Sequence, residues 1–466
     1  MGKNMKQRKK RKTMSPTRQI ILSFLLVILI GAVLLSLPIS NRNETLSFMD
    51  HLFVATSATC VTGLFPVSIA SQYTIWGQLV ILVLIQIGGL GFLTFLYLLL
   101  SKIQKKLSLR QKIVLQEMLN QSSISESSLM VRRILSYTFI TQGFGALLFM
   151  VVFIPKYGFQ KGSYYSVFHA ISSFTNAGVD VFGESSLMSY QNNSFMLLVT
   201  AGLIILGGLG FMIWFDVVHN LKNLSNSANL ISLRRLFLKL SLHSKIVIVM
   251  SSFLIVSATI ILFFAEGNNP QTMGNLSIFN RIQSSFFLSV STRTAGFTTF
   301  PITGLHTGTS LILWIYMFIG GSPASTAGGI KTTTFMITIL MIYNIYNGKK
   351  EVHIFGRRIP RRLIIRSFAI LSMALAVIFT ALIIVSFNEQ TPFFDLAVEV
   401  ISAFTTVGFS HGVTPTLSFI SRITFLALMF IGRVGPITML ISFVSNSHKQ
   451  NEKKEIGYPS GELLLG

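Results

Sequence analysis

The chain of 466 residues is 51% hydrophobic and only 11% charged, with a mean hydropathy of +0.64, which excludes a soluble globular protein of this length and places it in a bilayer. A net charge of +23 suggests nucleic acid at first sight, but 30 of the 38 Lys and Arg residues fall in 1–19, 101–133, 219–245, 346–366 and 446–466, the polar segments between apolar runs. That distribution is topological: it marks those segments as cytoplasmic and leaves no case for a nucleic-acid partner.

In chain order, residues 1–19 form a basic tail (Lys6-Gln-Arg-Lys-Lys-Arg-Lys12) expected to lie disordered against anionic lipid. The apolar run 20–37 follows it as in a signal sequence, but no small-residue cleavage pattern comes next, so it reads as a transmembrane helix. Unit one, 20–100, continues with a pore helix at 48–57 and a second span at 73–100, longer than the roughly 20 residues needed to cross. Cys60, the only cysteine, excludes an intramolecular disulfide framework and reads as a small pore-helix residue.

Unit two, 101–218, places spans at 134–154 and 194–218 around a pore helix at 164–174. Gly-Gly-Leu-Gly-Phe occurs in both second spans, at 88–92 and 207–211, where small residues predict close helix packing; a flexible inner gate is the alternative. Unit three, 219–346, has a span at 245–265, a pore helix at 279–290 and an apolar stretch over 308–346. As one helix, at ~1.5 Å per residue, that stretch would be about twice the hydrocarbon thickness. It must break, and Gly320-Gly-Ser-Pro-Ala-Ser-Thr-Ala-Gly-Gly-Ile-Lys331 is the place. Irregular backbone at that depth is tolerated only where it is buried in protein or lines water, which puts the loop in a pore. Gly-Gly-Ile-Lys-Thr falls short of a phosphate-binding loop, because Ile330 precedes Lys331 and no strand leads in. Unit four, 347–445, uses 363–387, 393–404 and 417–444, and 446–466 forms a cytoplasmic C-terminal tail. The expected fold is an all-α polytopic membrane protein of eight transmembrane helices in four tandem helix–pore loop–helix units, fourfold pseudosymmetric, with both termini cytoplasmic and the pore loops facing outward.

The duplication is sharpest between the pore helix and second span of each unit. Ala58-Thr-Cys-Val-Thr-Gly-Leu64, Ser173-Phe-Thr-Asn-Ala-Gly-Val179, Ser291-Thr-Arg-Thr-Ala-Gly-Phe297 and Ala403-Phe-Thr-Thr-Val-Gly-Phe409 align on Gly63, Gly178, Gly296 and Gly408. Their spacing is nearly even, one unit for every stretch of about 115 residues, which is the signature of internal repetition. Glycine admits backbone conformations that turn successive carbonyls toward an axis, where they replace an ion's hydration shell.

These segments, with Gly432-Arg-Val-Gly-Pro436 and the loop at 320–332, resemble the Trk/Ktr/HKT superfamily of potassium transport proteins, and in particular the membrane subunit of bacterial Ktr-type uptake systems, over about 20–445. The resemblance implies a potassium uptake subunit of the plasma membrane, a homodimer, and a cytoplasmic ring of nucleotide-binding subunits. The selectivity filter is expected from Val61, Thr62 and Gly63, Asn176, Ala177 and Gly178, Thr294, Ala295 and Gly296, and Thr406, Val407 and Gly408, binding potassium through main-chain carbonyls. In the family a glycine at the first position, here Gly63, goes with potassium and a serine with sodium. One glycine per unit makes the selective stretch shorter than a TVGYG filter.

A gate is expected at Gly320, Gly321, Ser322, Pro323, Gly328, Gly329 and Lys331 with Arg433. Arg433 follows Gly408 by the same interval that separates Gly321 from Gly296, which puts it level with the break and near acceptor carbonyls between Gly320 and Gly329. There it would oppose a permeating cation or merely brace the loop. On the outward side stand Glu44, Asp50, Asp180, Glu184, Glu266, Glu389, Asp395 and Glu399, which raise local cation concentration if they reach the pore mouth; Asp180, two residues past Gly178, is the best candidate for a vestibule. Arg293 is expected behind the filter, where a buried guanidinium needs a carboxylate and Glu399 is the candidate partner; the alternative is an Arg reaching external water.

The eight histidines show no metal-ligand spacing, and no catalytic constellation, nucleotide-binding loop or cofactor motif is present, so the chain reads as a non-enzyme that draws on the membrane potential or a partner. Two alternatives stay open: a sodium-permeable channel or symporter on the same scaffold, and a secondary transporter of a small solute, which the broken helix suits although the units repeat in parallel orientation.

Overall fold

Each of four successive units opens with a long apolar helix: α1 (Pro16–Ser36), α4 (Glu126–Tyr157), α8 (Leu242–Glu266) and α12 (Arg361–Asn388). The computed structural model describes residues 16–42, 46–91, 126–183, 186–225, 233–349 and 351–435; the readings made above for Glu44, Glu184, most of the basic tail, 92–125 and everything beyond 435 lie outside the described residues. Met130–Tyr157, Leu242–Glu266 and Arg361–Asn388, of 28, 25 and 28 residues, are long and apolar enough to cross a membrane. They expose large apolar side chains such as Phe144, Phe253 and Phe379, as surfaces in contact with lipid do.

After each long helix comes a short one: α2 (Phe48–Cys60), α5 (Phe159–Thr175), α9 (Ile278–Ser291) and α13 (Phe393–Thr405). At ~1.5 Å per residue they fall short of the ~30 Å hydrocarbon core. Local sequence sets their starts. Ser47 and Asp50 cap α2 reciprocally, and Ser277 accepts the Asn280 N–H at the head of α9.

The second helices are α3 (Ile75–Leu90), α6 (Ser194–Gly208), α10 (Thr307–Phe318) and α14 (Phe419–Val434). The expected span at 194–218 is corrected here, since it is broken; of those at 73–100 and 417–444 the described parts are helical to Leu90 and Val434, and the remainders lie outside the described residues. Gly91, Gly210 and Gly435, each one turn after a packing glycine, adopt φ of 81°, 96° and 94° and stop their helices. In unit two the chain resumes as α7 (Phe211–Ser225), bent by 96° from α6. In unit three α11 (Thr332–Tyr346) resumes after the expected break. A two-residue antiparallel pairing of His353–Ile354 with Arg357–Arg358 is a minor departure from an all-α fold.

Packing joins the units head to tail. Each long helix covers its own short helix, while α3 packs on α5, α6 on α9, α10 on α13 and α14 back on α2. Within three of the units small residues let the second helix close on the short one: a Cβ on Gly88, Gly207 or Gly432 would overlap the carbonyl oxygen of Thr59, Phe174 or Phe404, at the C-terminal end of its own unit's short helix, while between units a Cβ on Gly89 would meet the Thr175 side chain.

Candidate ion-conduction site

Each short helix runs directly into one glycine segment, so its C-terminal carbonyl end, the negative end of the helix dipole, adjoins that segment. Val61, Asn176, Thr294 and Thr406 sit at φ of 58°, 60°, 78° and 54°, and the glycines two positions later at 88°, 67°, 74° and 94°. A left-handed backbone costs a non-glycine residue roughly 1–2 kcal/mol. Its recurrence at one register in four segments marks a built feature. Thr62, Ala177, Ala295 and Val407 lie between, without positive φ. In every segment the side chains before the glycine are buried and only the glycine is partly exposed, so what each segment leaves accessible is backbone, not side chain.

The segments close on one another. A Cβ on Gly63 would press on the Ala177 carbonyl oxygen, on Gly178 that of Ala295, on Gly296 that of Val407, and on Gly408 that of Thr62. Each glycine thus guards the carbonyl of the next unit, and the fourth returns to the first. Sequence reasoning missed the serines that hold these turns. Ser57 Oγ accepts the Gly63 N–H at 3.1 Å, Ser402 Oγ the Gly408 N–H at 3.0 Å and Ser172 Oγ the Val179 N–H at 2.9 Å, while Ser291 Oγ donates to the Phe297 carbonyl at 2.6 Å. Ser57, Ser172 and Ser402 stand at one and the same offset before their glycines, a register readable from the alignment.

The loop at 319–331 lies against this ring: a Cβ on Gly328 would overlap Thr406 Oγ1. Gly320, Gly321, Ser322, Pro323, Gly328, Gly329 and Lys331 all fall in or at the end of it, as expected. The Ser322 N–H bonds the Gly208 carbonyl at 3.0 Å, the Thr326 N–H that of Gly207 at 3.2 Å, and the Phe211 N–H that of Ala324 at 3.0 Å. The broken end of α6 and the loop therefore satisfy each other's orphan backbone groups. Gly210 permits the approach, since a Cβ there would stand 2.7 Å from the Pro323 carbonyl. Lys331 Nζ donates to the Ala327 carbonyl at 2.7 Å, within its own loop.

Arg433 reaches the loop from unit four. One guanidinium arm donates to the Thr326 carbonyl at 2.5 Å; the other donates to the carbonyls of Gly88 at 2.5 Å and Gly89 at 3.3 Å, at the end of α3. The contact to the loop was expected from register, whereas the bridge to unit one was not. Gly-Arg-Val-Gly at 432–435 is the counterpart of Gly-Gly-Leu-Gly at 88–91 and 207–210, with Arg433 in place of Gly89 and Gly208.

Two charge readings are corrected. Arg293 and Glu399 do not pair: Arg293 donates to Ser251 Oγ on α8 at 3.1 Å, while Glu399 accepts from Ser410, the Val413 N–H and Thr414. The two side chains leave their elements in different directions, one toward the unit-three long helix and the other into the loop after Gly408. The outward carboxylates are also mostly structural. Asp50 pairs with Arg422 at 2.5 Å and Asp395 with His411 at 2.7 Å, and Glu266 accepts from Asn269, Thr272 and the His306 N–H. Burial opposes charge on Glu389, but hydrogen bonds from Ser421 and Ser418 outweigh it and hold this carboxyl below the usual range. Asp180, two residues past Gly178, is partly exposed and bonded to the Gly183 N–H, and burial pushes its carboxyl up to about 7.

No cluster of three His, Cys, Asp or Glu residues able to hold a metal is present among the described residues. Apolar helices surrounding a closed cycle of backbone carbonyls are the arrangement of a helical membrane transport protein. The chain belongs to the TrkH family of cation transport proteins, which it matches over residues 2–453. It is 38% identical over 452 residues to Ktr system potassium uptake protein B of Bacillus subtilis (strain 168), with 97% of each chain covered. To potassium/sodium uptake protein NtpJ of Enterococcus hirae it is 36% identical over 464 residues, covering 98% of each. It shares its fold with the potassium transporter TrkH from Vibrio parahaemolyticus at a TM-score of 0.71 and 15% identity, over 94% of this chain and 86% of that one.

Proposed function

We propose that this chain is the potassium-translocating subunit of a plasma-membrane uptake system, conducting the ion through the ring of Val61–Gly63, Asn176–Gly178, Thr294–Gly296 and Thr406–Gly408 carbonyls. The observation that carries the reading is the cycle in which Gly63, Gly178, Gly296 and Gly408 each guard the next unit's carbonyl. A cation crossing there exchanges water for main-chain oxygens and needs no charged side chain in its path. In this reading the four units, 20–100, 101–218, 219–346 and 347–445, form eight spans with fourfold pseudosymmetry, the pore loops face outward, and both termini are cytoplasmic. A charge falling through 100 mV gains about 2.3 kcal/mol, or roughly fifty-fold accumulation, so the potential alone suffices for uptake.

The loop at 319–331 with Arg433 serves as the gate beneath the ring, and Asp180 draws cations to its mouth. The Bacillus subtilis relative, named as part of a Ktr system, supports a partner subunit, which we take to be a cytoplasmic nucleotide-binding ring acting on a homodimer. A second reading, sodium permeation beside potassium, is favoured by the name of the Enterococcus hirae relative. Gly63 in the first segment weighs against it. Uptake measured in a cell lacking its own potassium transport, with and without such a partner and with sodium replacing potassium, tests both. Potassium uptake that rises with the partner is expected, and a protein that restores no potassium uptake in either case overturns the reading.

A further inference from the structure

Arg132 and Arg133 at the start of the apolar part of α4, and Lys222 on α7, line one cavity of about 660 Å³ that takes no part in the site described above. Its wall is aromatic and fixed. Trp214 stacks on Tyr137 with centroids 5.6 Å apart and 24° between the planes, and its indole N–H donates to the Leu206 carbonyl at 3.0 Å. No carboxylate lines the cavity, and among the described residues none of the three cations is in an ion pair.

Its position says which anion it suits. Because α7 is bent by 96° from α6, an upright α6 leaves α7 near the bilayer plane, and the cavity's place at the start of the Met130–Tyr157 span sets it at headgroup depth. From the cavity an exposed apolar row descends one face of α4: Ile140, Phe144, Leu147 and Val151, at 71%, 62%, 62% and 67% exposure. From its first side chain to its last the row is about 16 Å long at ~1.5 Å per residue, the depth of one leaflet's hydrocarbon. A free phosphate or nucleotide would leave the row bare, and a zwitterionic lipid would bring its own ammonium against the cations. An amphiphile with net negative charge satisfies both parts.

We propose that this cavity binds an anionic phospholipid, its phosphate held by Arg132, Arg133 and Lys222 and an acyl chain laid along the row from Ile140 to Val151. The proposal rests on the reading that α4 crosses the bilayer, but not on which ion is carried, and counting bound lipid keeps the two separable. The full chain, purified in detergent, is titrated with phosphatidylglycerol or phosphatidylcholine and bound lipid is counted by native mass spectrometry. The wild type should prefer phosphatidylglycerol, and a combined Arg132→Gln, Arg133→Gln and Lys222→Gln variant should bind it about tenfold more weakly or worse, with phosphatidylcholine unchanged. Arg132→Lys with Arg133→Lys should retain it, and so should a control with Arg361→Gln, Arg362→Gln and Arg366→Gln on the same basic side. Equal retention by wild type and the Gln triple variant, equal loss in the control, no preference in the wild type, or displacement of the lipid by millimolar inorganic phosphate or ATP would each overturn the proposal.

Discussion

A Cβ on Gly408 would stand 2.5 Å from the carbonyl oxygen of Thr62, at the opposite end of the chain. This approach joins unit four to unit one and completes the ring begun by Gly63. Gly408→Ala should therefore do two things: strain a backbone at φ 94° by roughly 1–2 kcal/mol and push the Thr62 carbonyl off its position. The expected result is a fall of about tenfold or more in the potassium-over-sodium uptake ratio. Gly412→Ala is the control, since Gly412 has φ 84° but nothing within 4 Å of its Cβ position, so the strain is present without the displaced carbonyl. Equal selectivity loss in both variants would assign the effect to strain and remove the ring from selectivity.

The serines beneath the ring give a second test. Ser57→Ala with Ser402→Ala removes the acceptors of the Gly63 and Gly408 amides, each bond being worth about 1 kcal/mol. Selectivity should decline while insertion and expression stay near wild type. If these variants lower protein abundance but leave the potassium-to-sodium ratio unchanged, the serines only stabilise the fold.

Asp180 and Asp50 should separate cleanly. Above pH 7, where the Asp180 carboxyl pushed up to about 7 by burial is ionised, Asp180→Asn is expected to raise the potassium concentration for half-maximal uptake, more at low ionic strength than at high, because attraction across water is screened; below that pH wild type and variant should converge. Asp50→Asn breaks the ion pair with Arg422 that ties unit one to unit four, and should lower thermal stability with little change in the half-saturating concentration. An Asp180→Asn variant with unaltered concentration dependence in dilute buffer would take that carboxylate out of the conduction path.

What the sequence showed and what it hid divide along physical lines. The glycine register and the break at 320–331 were legible because each rests on residue types that leave no alternative: a positive φ in the one case, and four glycines and a proline inside a doubly long apolar run in the other. The bend after α6 was not, because Gly-Gly-Leu-Gly-Phe at 207–211 reads as close packing until Gly210 meets the Pro323 carbonyl of the following unit. The pairing of Arg293 with Glu399 failed for a similar reason. Charge and depth said that each needed partners, but only the direction of each side chain showed that hydroxyl and amide groups, and not the other's charge, would supply them.

The last prediction concerns Arg433, whose two arms hold Thr326 in the loop and Gly88 in α3. Shortening residues 322–328 should raise potassium flux and weaken its dependence on the cytoplasmic partner, because the backbone lying against Thr406 is removed. Arg433→Ala should move flux the same way, having freed the loop from α3. Arg433→Lys separates charge from bridging: a lysine keeps the positive charge, but its single ammonium replaces the planar fork that spans two elements. If the bridge holds the loop across the path, the Lys variant should leak almost as much as Ala. If the charge itself is the barrier, it should stay near wild type. A correctly inserted loop deletion whose flux is unchanged or lower would sink the gating role of the loop and leave the carbonyl ring untouched.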